Sequence, residues 1–187
     1  MSTKILQLKI SLRGVKPPVW RRILVKEDMT FYRLHETILA VMGWTGFHLY
    51  EFQVYGEAIG EKDPEWDDIH PVKSAKRVKL SKYAFEDKAK FTYTYDFGDN
   101  WVHDILVEKI LQSEEGQSYP ICIGGKRNCP PEDVGGPWGY QDFLEAIRDP
   151  SHPEHENMLK WIGGAFDPEA FDLVETNEAL KEALKTR

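Results

Sequence analysis

The stretch "YTYDFGDNWVHDI", from Tyr93 to Ile105, sets Asp96, Asp99, His103 and Asp104 among aromatic side chains. Two carboxylates and an imidazole held within several ångströms suit a divalent metal or an acid–base pair. A purely structural role draws on the same residues. Aspartate in a Gly-Asp-Asn turn bonds its own backbone, and Asp96 can bond turn amides or an arginine. Strand alternation sets Asp96 on the face opposite Tyr95 and Phe97, and the hairpin register decides whether His103 shares it.

A second stretch, "CIGGKRNCPPEDVGGPWGY" from Cys122 to Tyr140, is dominated by glycine and proline and predicts irregular backbone. Glu132 and Asp133 stand just before an expected helix N-terminus, where the helix dipole favours negative charge. The Gly135 and Gly136 amides can also bind an anion there. Cys122 and Cys129 have six residues between them, which is not a zinc-knuckle spacing, and no second cysteine pair exists. A metal site completed by histidine or carboxylate and a reversible disulfide are the reactive alternatives; buried, idle thiols are the default.

A third stretch, "PPVWRRI", offers Trp20, Arg21 and Arg22. On a strand the two arginines point to opposite faces, so one is free to meet Asp96, Asp99 or Glu132, or to make an ordinary ion pair. The sequence does not say which. His48 and His103 both fall in strands with aromatic neighbours, where a histidine is most simply a hydrogen-bonded core residue.

The candidate pocket therefore comprises Trp20, Arg21, Arg22, Tyr95, Asp96, Asp99, Trp101, His103, Glu132, Asp133 and Trp138. Weak metal candidates are Asp96, Asp99, His103, Cys122 and Cys129. No residue is assigned a catalytic role, because nucleophile-elbow, phosphate-loop, zinc-protease and dinucleotide motifs are all missing from the sequence. No cofactor is expected.

The elements that must position these groups are legible in part. "KILQLKISL" and "VWRRILV" alternate and predict paired strands, broken between by Pro17 and Pro18. Thr30 predicts a helix N-cap, Phe31, Leu34, Ile38 and Val41 follow at helical spacing, and Gly43 is a stop. "HLYEFQVYG" predicts a strand. Residues 56–75 are polar and punctuated by glycine and proline, which predicts a long loop. "KRVKLS" predicts a short strand, with Ser81 capping a helical turn. "KFTYTYDF" and "WVHDILVEKI" alternate about "GDN" and predict an antiparallel hairpin. The chain then reads as loop until Gly136. A helix from Pro137 follows. Ser151 to Glu154 predicts a capping box for a helix through Ile162, Phe166 and Phe171 a hydrophobic staple, and about 177–185 a last helix. The fold class expected is α+β: a single domain over 1–187, with a mainly antiparallel sheet packed against several helices and a C-terminal helical part from about 137.

The 187 residues are enough for one real core, and 41% of them are hydrophobic. A formal net charge of −7 gives no general attraction to phosphate backbones, so nucleic acid is not an expected partner. The lysine-rich segment from Lys73 to Lys90 predicts a solvated strand and turn face. No run is long and apolar enough to span a bilayer, and the N-terminus is too short and too alternating for a signal peptide. The expected compartment is the cytoplasm, with no membrane partner.

Three blocks, "PPVWRRILV", "YTYDFGDNWVHDILVE" and "CPPEDVGGPWGYQDFLEAI", together resemble the plasmid pRiA4b ORF-3-like family, as does the later "WIGGAFDPEAFDL". The resemblance runs from about Lys4 to Leu180. It implies a compact prokaryotic α+β domain, with residues 56–75 as a variable segment, and it implies no activity. Some members carry a transposon-resolvase or passenger-protein label. Recombination needs a serine or tyrosine nucleophile in an arginine-rich clamp on DNA, whereas these blocks are rich in Asp, Glu, Gly and aromatics, which disfavours that role.

Two functions remain. One is a binding module for a small molecule or protein, with Tyr95, Phe97, Trp101 and Trp138 supplying contact area and Arg21 or Arg22, Asp96 and Glu132 supplying polar specificity. The other is a metal-dependent hydrolase or nuclease using Asp96, Asp99, His103, Glu132 and Asp133. Both require three distant segments to fold back on one another.

Overall fold

The computed structural model describes residues 3–61 and 71–185. The N-terminal runs form β1 (Lys4–Leu12) and β2 (Trp20–Lys26), paired antiparallel with Ile10 opposite Arg21. Helix α1 (Phe31–Met42) begins where the Thr30 side chain accepts the Arg33 amide. It ends at Gly43, whose φ of 81° lies in the left-handed region that glycine enters without strain. Strands β3 (Tyr50–Val54), β4 (Glu57–Gly60) and β5 (Val72–Ser74) follow. A 3₁₀ turn at Leu80–Tyr83 leads into the hairpin of β6 (Lys90–Tyr95) and β7 (Trp101–Gln112). Strand β8 (Ile121–Lys126) and helices α2 (Gly136–Arg148), α3 (His155–Ile162) and α4 (Leu173–Lys185) complete the chain.

Among the described residues the strands form one eight-stranded sheet in the order β5-β4-β3-β6-β7-β1-β2-β8. Every neighbouring pair is antiparallel except β4 with β5. The fold is thus α+β in one domain, as the patterning predicts. Alternation decides what each strand buries. Leu8, Ile10 and Leu12 of β1, Ile23 and Val25 of β2, Phe91, Tyr93 and Tyr95 of β6, and Trp101, His103, Ile105 and Val107 of β7 all turn to the core beneath the helices. The opposite face carries polar partners: Arg22 chelates Glu108, and Arg13 pairs with Asp104.

Several expectations are corrected. The loop expected over 56–75 contains β4 and β5; residues 62–70 of that segment lie outside the described residues. The stretch read as loop after Gln112 contains β8, an edge strand disguised by Gly124 and Gly125. A side chain at Gly125 would run into the Phe171 ring and Arg21, so packing dictates glycine there. "KRVKLS" supplies only a single bridge, between Thr30 and Lys79, before the 3₁₀ turn. Ser151 bonds Asp149 rather than capping α3, which starts without a side-chain cap. Phe166 packs on Tyr140 and Phe143, while Phe171 lies under Arg21, so the pair forms no staple. Helix α4 starts earlier than expected because Asp172 accepts the amides of Val174 and Glu175.

Candidate functional site

The β6–β7 hairpin ends in a turn built by Asp96. Its backbone extends the β3–β6 pairing by one bond, to the Leu49 carbonyl, and then turns through φ 55°. This reversal throws Phe97 outward, 54% exposed, and leaves Asp96 only 8% exposed. Asp96 Oδ1 accepts the amides of Gly98 and Asp99 at 2.9 and 3.3 Å. Asp99 Oδ2 in turn accepts the Gly135 amide at 3.1 Å. Gly136 packs against the Asp99 carbonyl so closely that a side chain would collide with it. The hairpin tip and the proline-rich bend therefore meet.

The loop between α1 and β3 joins them. Trp44, buried, stacks on Tyr95 at 5.2 Å between centroids and donates its indole N–H to the Pro130 carbonyl at 2.9 Å. Glu132 accepts three hydrogen bonds: from the Thr45 amide at 2.8 Å, the Thr45 hydroxyl at 2.5 Å and the Tyr95 hydroxyl at 2.6 Å. Burial works to raise the Glu132 pKa, but the bonds from Thr45 and Tyr95 outweigh it and hold the group below its ordinary value. Burial, then the bond to Glu132, pushes the Tyr95 phenol well up. Glu132 is thus an ionised clamp joining all three segments.

Beside the clamp, His48 Nε2 stands 3.0 Å from Asp133 Oδ1 and 3.7 Å from Asp96 Oδ2. One donor atom from each of the three residues lies within 4.8 Å of the other two. Like Asp96, Asp133 has a positive φ, 60°, which aspartate tolerates better than most residues. Neither Asp96, Glu132 nor Asp133 pairs with a lysine or arginine among the described residues. Phe47, 88% exposed, and Leu49, 53% exposed, flank His48 in the chain, and Phe97 follows Asp96. The result is a carboxylate cluster beside one imidazole, without a lysine or arginine partner among the described residues, and with exposed apolar side chains next to it in the chain.

Of the residues singled out from sequence, Tyr95, Asp96, Asp99, Glu132 and Asp133 come together here. The others do not. Arg21 is buried; it donates to the Val41 carbonyl at 2.9 Å, to the Trp20 and Lys126 carbonyls and to Cys129 Sγ. Arg22 and Trp20 lie on the outer sheet face, the guanidinium over the indole. Trp101 and His103 are in the core under Trp44. Burial pulls the His103 pKa down to about 4, and its Nδ1 faces the Tyr93 carbonyl at 3.3 Å. His103 thus belongs to no carboxylate cluster, which corrects its metal candidacy. Cys122 and Cys129 are buried free thiols, and burial raises both pKa values, that of Cys129 to about 11. Trp138 is 82% exposed in a depression with Arg13, Asn100 and Gln141. His48 is the functional candidate that sequence reasoning passed over as a core histidine. It precedes β3, and the Gly43 and Gly46 breaks around Trp44 were the signal that it sits in a loop.

The family model described as plasmid pRiA4b ORF-3-like protein matches residues 4–175. An uncharacterized protein, y4hQ of Sinorhizobium fredii, is 41% identical over 184 residues, spanning 97% of this chain and 93% of its own. The crystal structure of a protein of unknown function, MM3350 from Methanosarcina mazei, superposes with a TM-score of 0.85 at 44% identity, over 94% of this chain and 98% of that one. The three blocks that carry the hairpin, the bend and the arginine strand all lie inside the matched span, and the chain belongs to the plasmid pRiA4b ORF-3-like family.

Proposed function

We propose that this chain is a binding module whose carboxylate cluster, where the hairpin tip, the proline-rich bend and the loop after α1 meet, recognises a positively charged ligand. One observation carries this reading: Asp96 of the hairpin turn converges with Glu132 and Asp133 of the proline-rich bend, with no lysine or arginine to neutralise them among the described residues. Ordinary surface carboxylates gain little from pairing. Asp96, nearly buried, and Asp133 flank one imidazole, and with Glu132 next to Asp133 in the chain these carboxylates repel one another unless a cation joins them. The exposed rings of Phe47 and Phe97 and the Leu49 side chain, next to His48 and Asp96 in the chain, add apolar contact.

Recognition is favoured over turnover. Hydrolysis at a metal needs a base free to take a proton from water. Glu132, the carboxylate adjacent to Asp133 in the chain, is already engaged by Thr45 and Tyr95. The acidic cluster also works against a phosphate backbone as partner.

Amide shifts of ¹⁵N-labelled protein, titrated with zinc chloride and separately with a Phe-Lys-Phe amide peptide, test the proposal. Perturbations should be confined to residues 44–49, 95–100 and 130–136. If neither cation moves these amides at millimolar concentration, the proposal fails.

A further inference from the structure

We propose that His48 Nε2, Asp96 Oδ2 and Asp133 Oδ1 form a site for a divalent first-row transition metal, zinc being the natural occupant of such a donor set. The site rests on the cation-binding role of the cluster and gives that role a specific ligand. Spacing discriminates between kinds of cation. Donors bound about 2.1 Å from one ion stand roughly 3.0–3.4 Å apart at octahedral or tetrahedral angles. Acceptors bonded to one ammonium nitrogen at about 2.9 Å stand roughly 4.7 Å apart. His48 lies 3.0 Å from Asp133, within the coordination range and also at hydrogen-bond distance, and 3.7 Å from Asp96, a few tenths of an ångström beyond that range; both separations are shorter than an ammonium among the three would set. The third pair is no farther than 4.8 Å, and the Asp133 side chain, 70% exposed, is free to close it.

A second observation points the same way. Asp96 is 8% exposed, and both amides that it accepts are on Oδ1. Oδ2, aimed at His48, accepts no hydrogen bond among the described residues, because 3.7 Å is beyond bonding range. Oδ2 still reaches solvent, so it is the free oxygen of a largely buried carboxylate, open to a ligand on the His48 side. An ion at the cluster centre satisfies it, and two carboxylates with a neutral imidazole balance a charge of +2. Imidazole in the set favours zinc over magnesium, calcium and manganese, which prefer oxygen ligands. Three protein donors leave at least one coordination position open toward solvent, where Phe47 and Phe97 stand exposed.

Calorimetry and equilibrium dialysis of untagged protein with zinc, manganese and magnesium ions test the site. The variants are His48→Ala, Asp96→Asn and Asp133→Asn. Asparagine keeps the Oδ1 acceptor of the hairpin turn and tolerates positive φ, so the fold survives, which thermal melts check. One zinc per chain is expected, each variant weakening uptake roughly tenfold or more. A cobalt-loaded sample should show visible ligand-field bands that His48→Ala alters. No zinc uptake, or uptake unchanged in His48→Ala and Asp133→Asn, overturns the site; the latter result would place the ion elsewhere, such as at His152 and His155. If zinc fails while the Phe-Lys-Phe amide still perturbs the cluster, the metal site falls and the cation-binding role stands. If both fail, both fall.

Discussion

The bond from Tyr95 to Glu132 ties the hairpin to the proline-rich bend, and a double-mutant cycle on it measures whether that junction exists in solution. Glu132→Ala removes the acceptor of three hydrogen bonds. The Thr45 donors are at an exposed residue and regain water, so they account for about 0.5–1 kcal/mol each. Tyr95 is 0% exposed, and its orphaned hydroxyl costs about 1–3 kcal/mol more. The total is about 2–5 kcal/mol. Tyr95→Phe alone should cost about 1 kcal/mol, since the freed carboxylate oxygen stays near solvent. In the Tyr95→Phe background no hydroxyl is stranded, so Glu132→Ala should cost only about 1–2 kcal/mol, a coupling of about 1–3 kcal/mol. Urea unfolding followed by fluorescence gives all four stabilities. The acid limb adds a second check. Because the Glu132 pKa is lowered by folding, its contribution is present above the ordinary carboxylate value of 4.5 and is lost as pH falls through the folded value. Wild type and Glu132→Gln should therefore converge in acid. A coupling within about 0.3 kcal/mol of zero would refute the junction, since non-contacting sites are additive to about that level.

Further expectations follow from the residues that turned out to lie elsewhere. Arg21→Met should destabilise by about 3 kcal/mol or more in urea, because it strands the Val41 and Lys126 carbonyls, whereas Arg22→Met should cost about 1 kcal/mol or less at a partly solvated pair; equal losses would contradict the assigned faces. His103 is neutral and buried with a pKa of about 4 against an ordinary 6.5, so the unfolded chain binds a proton in that window that the folded chain refuses. Stability should drop as pH falls from 6.5 to 4, by up to roughly 3 kcal/mol from this group, and His103→Leu should flatten the slope; an unchanged slope would show the imidazole to be solvated. Cys122 and Cys129 should react with a thiol reagent only as fast as the chain unfolds, since both are buried with raised pKa values; rapid labelling of native protein would place a thiol at the surface.

Much of the fold was legible because period and caps are local. The alternation of Phe91, Tyr93 and Tyr95 against Trp101, His103 and Ile105 names the hairpin, and Thr30 with Gly43 bounds α1. Where a glycine or a turn answers to distant packing, local pattern fails. Gly125 is fixed by Phe171 and Arg21, so β8 does not look like a strand. Alternation likewise extends to Phe97, but the positive φ of Asp96 reverses the chain and delivers the ring to solvent. The chemistry-bearing residue types were visible, and Asp96, Glu132 and Asp133 were among them. The imidazole that faces them was not, because His103 and His48 have equal claims in sequence. Only pairing decides between them: Tyr93 lies opposite His103 and fixes it in the core, whereas His48 precedes the first paired residue of β3.

Diffraction from crystals grown with zinc, measured on both sides of its absorption edge, tests the metal site most directly. An anomalous peak about 2 Å from His48 Nε2 and from one oxygen each of Asp96 and Asp133 is expected. A zinc-bearing crystal with no peak there, and His48 still hydrogen-bonded directly to Asp133, would contradict it.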